Sequence, residues 1–186
     1  MKNEKLPQRK HIRLKRWDYA TAGGYYITIC THGKRKLFWT DQSCKYDVGA
    51  NCVRPPLSAL GNIVANEIGK LSGVYDTMSV DKYVVMPNHL HIILVLGQGT
   101  GGRPQVAPTD GNGGRPQVAP TEGLGTPTVS RIVKQFKGSV SKQIGSPIWQ
   151  RSFYDHIIRD EADYLRIWEY IDTNPLKWEE DEYYRP

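Results

Sequence analysis

KYVVMPNHLHIILVL, Lys82 to Leu96, is the stretch whose reading decides the fold. Two apolar, β-branched runs flank Met86-Pro87-Asn88, and Pro-Asn marks a strand edge or bulge. His89 and His91 follow directly. Side chains alternate across a strand, so His89 and His91 share one face while Leu90 points to the other. Two imidazoles side by side on a sheet can close on a single divalent cation. A lone histidine in an apolar strand is usually a satisfied core group. A pair at spacing two beside Pro-Asn is harder to explain that way.

On the N-terminal side, GGYYITICT, Gly23 to Thr31, reads as a strand opened by Gly-Gly punctuation. Gly33 to Arg35 makes a turn before Leu37-Phe38-Trp39, a candidate short strand, and residues 41 to 56 read as a loop. Leu57, Leu60, Val64, Ile68 and Leu71 repeat at helical spacing, predicting a helix that Val74 to Val80 links to the histidine strands. On the C-terminal side, Thr126-Pro127 opens a helix whose buried stripe is Val129, Ile132, Val133, Phe136, Val140 and Ile144. Ile148 to Ile158 is a strand or extended edge. Glu161 to about Thr173 forms the last helix, capped by Asp160, with Tyr164, Ile167, Trp168 and Ile171 as its core stripe. Asn174-Pro175 stops it. This order predicts an α+β fold, a ferredoxin-like antiparallel sheet with helices packed on it.

With 186 residues the chain is one domain by length, large enough for a real core. The catalytic-domain span is 17–178, between an N-terminal arm, 1–16, and an acidic tail, 179–186. The span is interrupted at 97–125, where GGRPQVAPT occurs twice with a period of twelve. Two copies are too few to stack into a solenoid, and Gly, Pro and Thr cannot build a core, so a flexible duplicated linker is expected. No apolar run reaches the length of a membrane span, and no apolar signal core follows the charged N-terminus. A cytoplasmic protein is expected. Cys30, Cys44 and Cys52 form no CxxC pair, which argues against a disulfide framework or a structural zinc site.

The net charge of +6 points to a polyanionic partner. Met1 to Arg16 carries seven Lys or Arg against Glu4 alone. No acidic residue occurs between Thr126 and Gln150, which tilts that helix towards a phosphate-facing surface. The candidate phosphate contacts are Arg13, Lys15 and Arg16 in the arm, Arg131, Lys134 and Lys137 on the helix, and Arg151 beyond it.

In the last helix Tyr170 and Asn174 are four apart and share one face. A phenolic oxygen and an amide oxygen would then project together. At this point the residues carry a resemblance. MPNHLHIIL resembles the His-hydrophobe-His strand of the HUH single-tyrosine transposases, particularly the REP-associated tyrosine transposases. YIDTNP, Tyr170 to Pro175, is similar to that family's nucleophile helix. GGYYITICT and WQRSFYDHIIRDEADY, Trp149 to Tyr164, resemble it too.

The resemblance implies a catalytic domain that cuts and rejoins single-stranded DNA near hairpins. Tyr170 would be the nucleophile, His89 and His91 metal ligands, and Asn174 the third ligand. It further implies Mg²⁺ or Mn²⁺ as cofactor, although imidazoles also suit zinc. Single-stranded or hairpin DNA would be the partner, and a homodimer stays open. Two other readings compete: a nucleic-acid-binding module that does not cleave, and a metal-dependent nuclease that uses water and leaves Tyr170 structural. Against the first stands the lack of an RNP-type segment and the unexplained histidine pair.

Overall fold

The structure, a computed structural model, describes residues 17–40, 56–97 and 127–185. The basic arm, with Arg13, Lys15 and Arg16, and the duplicated GGRPQVAPT tract lie outside these residues. The chain runs β1 (Gly23–Cys30), α1 (Ala59–Val74), β2 (Met78–Val85), β3 (His89–Leu96), α2 (Val129–Ile144), β4 (Tyr154–Ile158) and α3 (Glu161–Thr173). A short 3-10 helix, Asn174–Glu180, follows. The four strands form one antiparallel sheet in the order β2-β3-β1-β4. This is the ferredoxin-like βαββαβ arrangement with α3 added.

Alternation along β1 and β3 divides the sheet into two working faces. Tyr25, Ile27 and Ile29 with Leu90, Ile92, Leu94 and Leu96 pack into a core beneath α1 and α2. Ile93 turns the other way and joins Val84, Met86, Ile167 and Ile171 under α3. His89 and His91 have the parity of Ile93, so they lie on the α3 face.

The connection that aims the histidines is tied down on several sides. Thr31 N–H donates to the Asn88 carbonyl at 2.9 Å, and Leu37 and Phe38 N–H groups donate to the Pro87 carbonyl. Trp39 Nε1 donates to the Val85 carbonyl at 2.8 Å. Leu37–Trp39 therefore braces the Pro-Asn corner instead of pairing as a strand; only a lone bridge from Trp39 to Leu57 is formed.

Two further expectations need correction and one is refined. The N-cap of α2 is Thr128, whose hydroxyl accepts from Arg131 N–H, with Pro127 just outside the helix. The Ile148–Ile158 stretch is an extended edge interrupted in its middle: Trp149 bridges Thr31, and continuous pairing resumes from Tyr154 onward. Trp168 is not core: it is 40% exposed and carries the Lys82 ammonium over its ring. Lys82 also bonds Asp172 at 2.7 Å, and Tyr164 donates to Asp81 at 2.6 Å at an irregularity in β2. These contacts dock α3 on the sheet edge. No helix among the described residues is long and apolar enough to cross a membrane.

Candidate active site and metal centre

His89 and His91 are fully buried side by side, with their Nε2 atoms 2.9 Å apart. The proton positions follow from the neighbours. Asn88 Nδ2 donates to the Lys34 and Tyr183 carbonyls, at 3.2 and 2.9 Å, which fixes its Oδ1 against His89 Nδ1 at 2.8 Å. His89 Nδ1 therefore holds a proton and donates it, leaving a bare lone pair on Nε2. His91 Nε2 must then be the donor between the two rings. The Tyr26 and Thr28 hydroxyls face His91 Nδ1 at 2.7 and 2.9 Å, and either can donate or accept. His91 Nδ1 thus keeps a partner in either tautomer, while the Nε2–H form alone satisfies the contact with His89.

Burial holds both rings neutral. It lowers His89 to about 3, with Lys34 adding to the effect, and lowers His91 well below the ordinary imidazole value. A neutral imidazole with a free nitrogen and its other nitrogen held by an oriented partner is the form that binds a metal.

α3 brings the second half. Asp160 caps it by accepting from Asp163 N–H. At its end Asn174 keeps helical geometry, φ −55° and ψ −42°, so the four-residue alignment with Tyr170 survives the following proline. The Tyr170 ring lies 5.3 Å from the His91 ring. Its hydroxyl donates to Asp181 Oδ2 at 3.1 Å, and Asn174 Nδ2 donates to the same oxygen at 2.9 Å. Burial raises the Tyr170 pKa, and the charge of Asp181 raises it further. The phenol is therefore protonated at neutral pH.

Asp181 is the residue that sequence reasoning missed. It sits in the run Glu179 to Glu182, which reads as a solvated tail. Glu179, Glu180 and Glu182 are indeed exposed, but the Asp181 side chain is only 1% exposed and its Oδ2 is 3.9 Å from His89 Nε2. Aromatic residues could have given the signal. Trp178 packs towards Trp39 and His89, and Tyr183 lies 4.6 Å from the His89 ring, so the segment folds back onto the site.

The donor set fits a divalent cation. One ligand atom each from His89, His91 and Asp181 falls within 4.8 Å of the others. Asn174 Oδ1 is buried and has no hydrogen-bond partner. An orphaned buried acceptor beside such a cluster is unusual in a folded protein and suits a further oxygen ligand.

Of the anticipated phosphate contacts, the described ones, Arg131, Lys134, Lys137 and Arg151, are not gathered here. α2 lies across the sheet from the imidazoles, and Arg131 and Lys134 are exposed on it. Lys137 Nζ donates to the Gln150 and Ser152 carbonyls, both at 2.8 Å, and burial lowers its pKa to about 8. Arg151 is exposed in the segment entering β4.

No protein-family model matches the chain. A Haemophilus influenzae protein without an assigned activity is 33% identical over 188 residues, covering 98% of this chain and 96% of that protein. A second protein of that organism, assigned as a REP-associated tyrosine transposase, is 23% identical over 87% of this chain and 75% of its own length. Among solved structures, a REP-associated tyrosine transposase bound to a REP hairpin superposes with a TM-score of 0.54 at 20% identity. The match covers 89% of this chain and 74% of that one. In fold the chain matches the hairpin-bound transposase, and in sequence it is similar to a REP-associated tyrosine transposase: it is REP-associated-transposase-like.

Proposed function

We propose that this chain is a metal-dependent single-stranded DNA transesterase that cleaves and rejoins DNA near hairpins through Tyr170. One observation carries the reading: a single chain holds the Tyr170 phenol and the Asn174 amide against the His89–His91 pair, all meeting at Asp181. Mg²⁺ or Mn²⁺ held by His89, His91 and an oxygen of Asp181 or Asn174 would supply positive charge to the non-bridging oxygens of the scissile phosphate. The hairpin-bound structural neighbour supports hairpin DNA as the partner.

The protein's own groups do the rest. Asp181 Oδ2 already accepts the Tyr170 hydrogen bond, so it receives the phenolic proton as the oxygen attacks phosphorus. The bond to the 3′ oxygen breaks, that oxygen takes a proton as the 3′-hydroxyl, and the 5′ phosphate remains on Tyr170. The link conserves the phosphodiester's energy, so attack by a 3′-hydroxyl reverses the step without ATP. With a cation between the rings, His91 would carry its proton on Nδ1 and leave Nε2 free as a ligand, since the Tyr26 and Thr28 hydroxyls can accept it there. Arg151 and the basic arm would hold the strand beyond the site. Arg131 and Lys134, on the far face, would meet only DNA that passes around the sheet.

Incubation with hairpin-flanked single-stranded DNA and Mn²⁺ should give a covalent protein–DNA adduct on a denaturing gel. Tyr170→Phe should abolish the adduct and all cutting while DNA binding persists. Continued cutting by that variant would instead identify a nuclease that uses water, and binding without any cutting by the unmodified chain would identify a non-cleaving module.

A further inference from the structure

Beside Tyr170 a groove of about 550 Å³ opens between β4 and α3. It lies within the ~300–1,000 Å³ typical of sites for small organic groups. Tyr26, Tyr154 and His156 of β1 and β4 line it with Arg166, Ile167 and Tyr170 of α3, and Glu182 and Tyr183 complete the lining. Pairing of Thr28 with Tyr154 and of Tyr26 with His156 puts these side chains on the face that carries His91. β4 is an edge strand, so the groove reaches the rim of the sheet.

Two features suit a nucleotide. Tyr154 is 46% exposed, and no other ring among the described residues stacks on it. Arg166 precedes Tyr170 by one helical turn, about 6 Å along the same face of α3. Its Nη2 donates to Asp163 Oδ1 at 2.5 Å, and His156 Nε2 donates to Asp163 Oδ2 at 2.7 Å. Asp163, whose side chain is 11% exposed, thereby ties down both side chains at the groove's margin, while the Arg166 side chain remains 75% exposed with N–H groups to spare. Glu182 keeps the groove from being uniformly basic. That pattern favours one positioned phosphate and one stacked base over a general polyanion track.

We infer that this groove is the subsite for the unpaired nucleotide adjoining the phosphate attacked by Tyr170, with its base on the Tyr154 ring and its own phosphate on Arg166. The inference rests on the transesterase reading and adds where the flanking single strand runs: along β4 and α3, on the same face as the histidines. Arg166 and Tyr154 are positioning residues here, since neither touches the reacting atoms.

The test compares binding of a fluorescent DNA hairpin with binding of the same hairpin carrying a short single-stranded extension. The extension should raise affinity for the unmodified protein about tenfold, the size of one stacked base. Tyr154→Ala and Arg166→Gln should each remove most of that gain and leave affinity for the bare hairpin unchanged. Tyr154→Phe should keep it, and Arg166→Gln should lower the salt dependence by about one ion. The inference is overturned if the extension adds nothing, if both variants retain the gain, or if they lose bare-hairpin binding equally. Adduct formation at Tyr170, scored in parallel, separates the two ideas: an adduct with no Tyr154 or Arg166 effect sinks the subsite alone, and no adduct sinks the chemistry.

Discussion

Asp181 takes hydrogen bonds from Tyr170, Asn174 and the Tyr183 N–H, so one carboxylate orients both the attacking phenol and the neighbouring amide. Opposite it, the imidazoles are kept neutral by burial, and this has a cost in acid. In the unfolded chain His89 titrates near 6.5; folded, it is held at about 3. Above pH 6.5 neither state binds the proton, and the stability contribution is fully present. Below it the unfolded chain takes up a proton that the folded chain refuses, so stability falls progressively down to about pH 3. At pH 5 the difference for His89 alone is about 2 kcal/mol. Urea unfolding in chelator at pH 7 and pH 5 should show this loss. A His89→Asn/His91→Asn variant should show a flatter dependence, and equal pH slopes in the two proteins would contradict the assignment.

At the scale of elements, α1 owes its seat to a glycine. A methyl group at Gly61 would lie well inside van der Waals contact of the Phe38 carbonyl oxygen, whereas one at Gly69 of the same helix meets nothing within 4 Å. Gly61→Ala should therefore destabilise by about 1–3 kcal/mol through forced backbone displacement. Gly69→Ala should be neutral or gain up to ~1 kcal/mol from helix propensity. Thermal unfolding of the two variants checks the contrast; similar melting shifts would refute it. The same scale shows what was readable beforehand. β1, the histidine strands and α3 were legible because alternation, an Asp160 cap and an Asn-Pro stop are local signals. For the α2 cap, Thr126-Pro127-Thr128 offers two hydroxyls, and only the backbone decides that Thr128 is the one reached by Arg131 N–H. The exposure of Trp168 depends on Lys82, 86 residues away, and the inward turn of Asp181 on aromatic packing around Trp178. Neither leaves a periodic trace. The pairing of Tyr170 with Asn174 was legible, since helical spacing alone sets it. The facing of α2 away from the imidazoles was not, because charge pattern says nothing about which side of a sheet a helix covers.

For the molecule as a whole, the arrangement of ring and phenol speaks to assembly. Tyr170 reaches His91 of its own chain, so the constellation is complete in one copy. Mixing Tyr170→Phe protein with His89→Ala protein should therefore not restore adduct formation. Recovery of cleavage in the mixture would show that partners exchange their nucleophile helices. The long insertion between β3 and α2 bears on the same question of scale. Its first anchored residue is Gly97, whose N–H donates to the Thr77 carbonyl at 2.7 Å, and Leu96 stands seven residues along β3 from His89, about 23 Å at strand rise. The insertion thus leaves the sheet at the end remote from the imidazoles. A gain or loss of one twelve-residue copy at that junction therefore leaves the spacing of His89, His91 and Tyr170 untouched.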